Sequence, residues 1–384
     1  MKRLLAQFLL AVALCFSLTL SWGQKPTSDA QQRPKPRVKV MHMKNAAAAI
    51  PAALRQASSG ATIPLWNYTI VSPSDGNTYS GQMVGRSPFY HGYRAISIPT
   101  YMIPVKLTFS DGTVLDPTTV NSCSGTSSTT VSIVQQSPIF QSVDWIMNGV
   151  DVGTTQYVDG FQRANFWTDV SVAGNSYHNT LALTILPKIS VTVPAADGGS
   201  FNLLCDEGQV DINWWDALVQ NTFLPSLVSK GVTPATFALF LFDSVEMCDT
   251  YQQGNCGILG YHNAFTPNSV FQAYGVGDFD NSELYGGDIS VLSHEVAEWT
   301  DDPTTNNPTP AWGNIGQVSG CQNNLEVGDP LTGTFFNPVT IGNFTYNPQE
   351  LAFFSWFYGQ SPSIGSGGVY SDNGTFTTPA APCV

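Results

Sequence analysis

The amino-acid sequence predicts an α+β fold, in which a β-rich, sandwich-like domain at 61–199 precedes an α+β domain at 200–384. Three observations support this prediction. Short alternating apolar runs such as 101–109 are closed by turns rich in Gly, Pro and Asp throughout the first domain. Apolar residues recur at helical spacing in 211–227 and again in 289–299. Aromatic residues make up 12% of the 384-residue chain, which is enough for a substantial core.

Individual elements have sharper signals. The uninterrupted apolar run 237–242 predicts a buried strand, and 257–265 predicts another after a polar loop. Asp288 is expected to cap a helix that ends at Asp301-Asp302-Pro303, because proline cannot continue a helix. In the first domain, residues 155–167 predict one helix that turns its apolar side to the core.

The amino terminus predicts export. A basic start, Met1-Lys2-Arg3, precedes an apolar run from Leu4 to Leu20, and small residues follow; this order is typical of a signal peptide over 1–23. The alternative is an uncleaved anchor helix, which needs about 20 apolar residues. Residues 24–60 are rich in Pro, Lys and Arg and predict a linker or a cleaved pro-segment. A secreted or periplasmic location is therefore expected.

Charge narrows the range of partners. Only 11% of the residues are charged, and the formal net charge is −13. Such a surface repels nucleic acid and anionic membranes, so neither is expected as a partner. No later stretch is long and apolar enough to predict a membrane span. Nothing in the sequence specifies the oligomeric state.

The cysteines agree with an oxidising compartment. Six follow the signal peptide, and in an exported chain they predict up to three disulfides: Cys123, Cys205, Cys248, Cys256, Cys321 and Cys383. Proximity favours a bond between Cys248 and Cys256. Zinc ligation by cysteine is the alternative, but the sequence has no Cys-x-x-Cys pair.

The strongest signal for chemistry is the motif His294-Glu295-x-x-Glu298 on the last predicted helix. Residues four apart face the same side of a helix, so His294 and Glu298 can hold one metal ion between them. Glu295 is adjacent and can act as the general base for a water at the same ion. Asp301 and Asp302 extend the acidic side. The alternative is a solvent-exposed acidic helix face that binds no metal.

A further ligand must come from another segment. Glu326 and Asp329 are spaced to face one another across a turn, and His262 follows a predicted strand. Each of these three residues is a candidate. The ion is expected to be a divalent metal, zinc as first choice and calcium as the alternative.

Together these features predict a secreted metal-dependent hydrolase, with a peptidase as first choice and a peptide or cell-wall polymer as substrate. The alternative is a non-catalytic secreted or cell-surface binding protein with a structural cation. A paired-carboxylate glycosidase that uses Trp214, Trp215 and Trp312 as sugar platforms is a further alternative, although no carboxylate pair distinguishes it.

The stretch Ser293–Glu298, followed by Asp302-Pro303, resembles the C-terminal part of the Exordium or phosphate-induced family of secreted proteins. Cys256-Gly257 and His262 are similar to a Cys-Gly…His segment upstream in that family. The helix also resembles that of the zincin metallopeptidases, except that Glu298 stands where zincins have a second histidine. These resemblances imply a secreted protein with a zincin-like C-terminal domain, and they imply no settled reaction.

We expect the exported protein to begin near Gln24, or further along if the segment up to residue 60 is also removed. N-terminal sequencing and intact mass of the protein from medium or periplasm measure this. Recovery from the membrane fraction with Met1 intact would contradict the signal peptide.

Overall fold

The structure, a computed structural model, describes residues 62–90, 95–121, 125–202, 205–266, 270–280 and 287–384. The expected signal peptide and linker lie outside these ranges. The strands are β1 Leu65–Val71, β2 Thr78–Val84, β3 Ala95–Thr108, β4 Val114–Leu115, β5 Val143–Met147, β6 Val150–Thr155, β7 His178–Ile185, β8 Ile189–Thr192, β9 Gly198–Asn202, β10 Asp206–Asp211, β11 Phe237–Asp243, β12 Val245–Cys248, β13 Cys256–Ile258, β14 Gly260–Phe265, β15 Gln272–Phe279, β16 Pro308–Ile315, β17 Val318–Asn324, β18 Val339–Ile341 and β19 Phe344–Tyr346. The α-helices are α1 Thr130–Gln135, α2 Tyr157–Asn165, α3 Trp167–Val170, α4 Ile212–Leu218, α5 Leu224–Leu227, α6 Ser290–Asp301 and α7 Phe354–Phe357.

The largest sheet of the described residues combines strands from both ends of the chain. Its order is β14-β15-β11-β3, and β7, β8 and β4 also pair with β3. Strand β3 is parallel to β11 on one side and to β7 and β8 on the other. The α+β class and the β-rich first half are confirmed. Strands from both sides of residue 200, the expected boundary between the two domains, belong to this one sheet, and β3 pairs in it mainly in parallel.

Strand β11 lies at the centre of this sheet and is buried along its whole length, as its apolar sequence predicts. Its side chains alternate between two separate hydrophobic cores, one on each face of the sheet. On the first face, Trp299 of α6 stacks on Phe237 with ring centroids 3.8 Å apart. On the second face, Trp215 of α4 packs against Phe242 at 4.8 Å. Helices therefore cover both sides of the sheet.

Helix α6 ends where the sequence predicts but begins differently. Its last residue is Asp301, shortly before Pro303. The expected cap, Asp288, is not the residue at the cap; Ile289 is, and its side chain makes no capping hydrogen bond. The Asp288 carboxylate accepts hydrogen bonds from the backbone N–H of Ile289 and from that of Asn347, the latter at 3.0 Å. The prediction that Asp288 caps the helix is therefore wrong, because the distant residue Asn347 shares its carboxylate.

Close packing brings α6 against the edge of the sheet. Strand β15 carries Gly277 below the helix, where a Cβ atom would lie 2.5 Å from Cδ2 of Leu292. The edge strand β14 pairs with β15, and its residue Ala264 belongs to the core on the helix side. Side chains alternate along a strand, so His262 also faces α6.

Two disulfides each join a pair of described residues. Cys248 bonds to Cys256, as predicted, and Cys321 bonds to Cys383. Cys205 is disulfide-bonded as well. In the described ranges no helix is long and apolar enough to cross a membrane. The disulfides fit an extracytoplasmic protein.

Removal of the two disulfides is expected to destabilise the protein unequally. Their sequence separations are 8 for Cys248–Cys256 and 62 for Cys321–Cys383. A bond that closes a longer loop restricts the unfolded chain more, which favours the second disulfide by about 2 kcal/mol. Urea unfolding of the two paired Cys→Ala variants measures the difference. Equal losses, or a larger loss for the shorter loop, would contradict it.

Candidate metal centre

Helix α6 turns its acidic side inward. His294, Glu295 and Glu298 have no exposed surface, and Asp301 and Asp302 are equally buried. The alternative of a solvent-exposed acidic face is therefore wrong. Strand β14 and the segment that follows β17 enclose this side of the helix.

His294, Glu298 and Asp329 form a first group of converging side chains. Nε2 of His294 lies 2.9 Å from Oε1 of Glu298 and 3.6 Å from Oδ1 of Asp329. One ligand atom from each residue lies within 4.8 Å of the other two. Ligand atoms held at about 2.1 Å from an ion are about 3.0–3.4 Å apart in octahedral or tetrahedral geometry. The group therefore has the dimensions of a metal site.

His262, Glu295 and Glu298 form a second group. Nδ1 of His262 lies 3.2 Å from Oε2 of Glu295 and 3.7 Å from Oε2 of Glu298. Glu298 thus belongs to both groups, with one oxygen toward each histidine. Glu326 approaches the opposite side of the His262 ring, where its Oε2 lies 3.9 Å from Nε2.

Gln349 fixes the orientation of the His294 ring. Its Nε2 donates a hydrogen bond to the carbonyl of Gly328 at 2.7 Å, which leaves Oε1 to accept from Nδ1 of His294 at 3.1 Å. The Nε2 lone pair of His294 then faces Glu298 and Asp329. Histidines that bind metal commonly donate through the other ring nitrogen in this way. Gly328 permits the close approach, since a Cβ there would lie 2.3 Å from Nδ1 of His294.

Glu298 is held as a carboxylate. Burial raises its pKa, but His294 and then His262 lower it, and the net shift is downward. Its Oε1 also accepts hydrogen bonds from the backbone N–H groups of Gly328 at 3.1 Å and Asp329 at 3.2 Å. Glu298 is therefore a fixed, charged group between the two histidines.

Neutral amides hold the carboxylates outside the helix. Nε2 of Gln322 donates to Oδ2 of Asp329 at 3.0 Å, and Nε2 of Gln317 donates to Oδ1. Nδ2 of Asn324 donates to Oε1 of Glu326 at 2.7 Å. These amides orient the acidic side chains without adding positive charge.

These carboxylates lack a compensating lysine or arginine among the described residues. Across the described ranges no lysine or arginine forms an ion pair with Glu295, Glu298, Glu326 or Asp329. Burial, followed by repulsion from Glu298, raises the pKa of Glu295 and of Glu326 well above the ordinary value. The same two causes raise the pKa of Asp329 to about 8. A divalent ion would relieve this repulsion.

Unpartnered ligand atoms indicate where an ion fits. Four fully buried atoms of the two ligand groups and of Glu326 make no hydrogen bond: Oε1 of Glu295, Oε2 of Glu298, Oε2 of Glu326 and Nε2 of His294. Nε2 of His294 is therefore near Oε1 of Glu298, but the two atoms are not aligned for a hydrogen bond. Burial lowers the pKa of His294, but Glu298 and Asp329 outweigh it and raise the pKa. A proton and a cation therefore compete for Nε2. The residues fit a divalent ion.

Every ligand candidate from the sequence lies at this centre: His262, His294, Glu298, Glu326 and Asp329. Of the two acidic candidates after β17, Asp329 approaches His294 and Glu326 does not. Sequence reasoning missed the amides Gln317, Gln322, Asn324 and Gln349. Their concentration beside an acidic segment in a lysine-poor chain is the signal that could have found them.

Two of the three tryptophans proposed as sugar platforms are not available to a substrate. Trp215 is fully buried and Trp312 is 1% exposed. The indole N–H of Trp312 donates to the backbone carbonyl of Asn324 at 2.9 Å. The assignment of Trp215 and Trp312 to sugar binding is wrong, because both belong to the core.

Comparison with family models, with curated proteins and with solved structures gives no match for this chain.

Without a metal, the protein is expected to lose stability as the pH rises from about 4 to about 8. Burial raises the pKa of Asp301 to about 8 and that of Asp302 to about 7. The folded state therefore keeps protons that the unfolded chain releases near pH 4. Each such proton lowers the free energy of unfolding by about 1.4 kcal/mol per pH unit over that interval. Thermal unfolding in chelator across this pH range measures the slope.

Asp301→Asn provides the matched control for this slope. The amide keeps the shape of the side chain, and its oxygen can still accept the hydrogen bond from Gln162. The free energy of unfolding should then fall less steeply with pH, by the contribution of one proton, which is about 1.4 kcal/mol per pH unit. Stability that is constant or rises with pH in chelator would contradict the raised pKa values of Asp301 and Asp302.

Proposed function

We propose that this protein is an exported, divalent-metal-dependent hydrolase that acts on peptides. The observation that carries the proposal is the convergence of His294, Glu298 and Asp329 beside an unpartnered oxygen of Glu295. Three protein ligands that leave one coordination position open are typical of catalytic zinc sites.

The three ligands would suit zinc better than calcium. One imidazole nitrogen and two carboxylate oxygens form a mixed donor set, whereas calcium prefers oxygen ligands alone. When bound, the ion would act as a Lewis acid that polarises the carbonyl group of the peptide bond to be cleaved. His294, Glu298 and Asp329 would fix the position of that acid.

Glu295 is the proposed general base. Its Oε1 has no hydrogen-bond partner, and burial together with the charge of Glu298 raises its pKa. A raised pKa makes a carboxylate a better proton acceptor near neutral pH. Glu295 would take a proton from the attacking water and deliver it to the leaving amine.

A second candidate is a binding protein with a structural cation, and full burial favours it. His294, Glu295, Glu298 and Glu326 have no exposed surface, and Asp329 is 2% exposed. A peptide substrate must bring its carbonyl to the ion, whereas a structural ion needs no access. Catalysis is therefore the property that separates the two candidates.

Secretion forms part of the proposal. It is supported by the basic and apolar start of the sequence and by disulfides that would be reduced in most cytoplasms. We also propose kinship with the Exordium family, on the Ser293–Glu298 and Asp302-Pro303 stretch alone. Membership of that family would not by itself specify a reaction.

Glu295→Gln tests the role of the base. Glutamine keeps the size of the side chain but cannot accept a proton from water, so hydrolysis is expected to fall at least about 100-fold. The ion at His294, Glu298 and Asp329 should remain. Glu298→Ala should lower the metal content as well as the activity. Zinc-loaded protein is assayed on a fluorogenic peptide mixture, and zinc is counted by mass spectrometry after dialysis.

Asp301→Asn is the control for this series, because Asp301 lies on the same buried helix and in neither ligand group. It should leave zinc content and hydrolysis unchanged. Tight zinc binding without hydrolysis in the unmodified protein would favour the structural cation. Absence of binding to zinc, manganese and calcium would overturn both candidates.

A further inference from the structure

The second group, His262, Glu295 and Glu298, shows independent signs of a cation site. Nε2 of His262 lies 3.1 Å from the backbone carbonyl oxygen of Asp302. A carbonyl only accepts hydrogen bonds, so Nε2 carries a proton and donates. In the neutral ring Nδ1 then presents its lone pair, and this lone pair faces Glu295 and Glu298.

A lone pair that faces two carboxylates needs either a proton or a metal ion between them, and the contact of Nδ1 with Oε2 of Glu295 is where that positive charge would lie. The three groups are fully buried, so water does not screen them. His294 shows the same pattern on the other side of Glu298, where Nδ1 donates to Gln349 and Nε2 faces carboxylates. Both histidines thus have the hydrogen-bonded outer nitrogen that is characteristic of metal ligands.

The spacing in the second group also matches a metal site. The distances of 3.2 Å and 3.7 Å from Nδ1 of His262 to Glu295 and Glu298 are close to the separation of about 3.0–3.4 Å between neighbouring ligands of one ion. Oε2 of Glu298, which faces His262, makes no hydrogen bond. Oε1 of the same carboxylate belongs to the first group.

We propose that the centre binds two divalent ions, one in each group, with the carboxylate of Glu298 bridging them. The inference rests on the proposed metal centre and extends it by a second ion at His262 and Glu295. Bridged pairs in hydrolases are about 3.5–4 Å apart, a separation that one carboxylate can span. Aminopeptidases are among the enzymes that use such pairs.

The charge of the centre agrees with two ions. Four fully or almost fully buried carboxylates surround the histidines, namely Glu295, Glu298, Glu326 and Asp329. When all are ionised, one divalent ion balances half of their charge and two ions balance it completely. Glu295 can serve both proposals, because Oε2 faces His262 while Oε1 has no partner and can still accept a proton.

Metal stoichiometry tests the second ion without any assay of activity. Metal-free protein is dialysed against zinc or manganese, and bound metal per chain is measured by mass spectrometry. Two ions are expected for the unmodified protein and for Asp301→Asn. One ion is expected for His262→Gln and for Glu295→Gln, because each removes a ligand of the second group only. His294→Gln should also retain one ion, held by the second group.

Electron paramagnetic resonance of the manganese-loaded unmodified protein gives an independent measurement, which stays decisive if a variant fails to fold. Two bridged ions should give an exchange-coupled spectrum that simplifies at substoichiometric manganese. A single uncoupled ion per chain would overturn the bridged pair and leave the proposed hydrolase standing. Two ions that both persist in folded His262→Gln would also overturn it. No bound ion at all would overturn the proposed function itself.

Discussion

Carboxylates that are buried on and beside helix α6, with no lysine or arginine among the described residues to pair with them, set the constraint on which the rest of the centre depends. An ionised carboxylate in a protein interior is costly unless it is paired and hydrogen-bonded. The chain supplies hydrogen bonds from Gln322, Asn324 and the backbone near Gly328, but these donors carry no net charge. The remaining ways to neutralise the centre are protonation, which burial favours by raising the pKa of Glu295 and of Glu326, and binding of a cation.

The fold holds these groups on rigid elements. Helix α6 is fixed by the stacking of Trp299 on Phe237 and by its close approach to the sheet at Gly277. The backbone of His262 is fixed by the pairing of β14 with β15, opposite Gly275. Ligands on a helix and a strand are positioned more accurately than ligands on loops. Asp329 is the exception, because it begins a short 3-10 turn, and two glutamines hold its carboxylate instead.

The sequence predicted local features of the fold and site better than distant ones. Helical spacing located α6, an apolar run located β11, and short separation identified the Cys248–Cys256 bond. The parallel pairing of β3 with β11 joins segments more than 130 residues apart, and no local pattern encodes it. The same holds for Gln349, which reaches His294 across 55 residues. Polar helix faces are usually hydrated, so the acidic residues of α6 are also compatible, from the sequence alone, with a solvent-exposed face.

Oε1 of Glu295 is the atom that would distinguish a catalytic ion from a structural one. A purely structural centre gains nothing from a buried oxygen without a partner, since such an oxygen lowers stability. With ions in both groups, Glu298 would use both oxygens and Glu295 would use Oε2, yet Oε1 of Glu295 would still lack a partner. The position of that oxygen, beside both ligand groups, is what a general base requires, and it supports the proposed hydrolase over a purely structural ion.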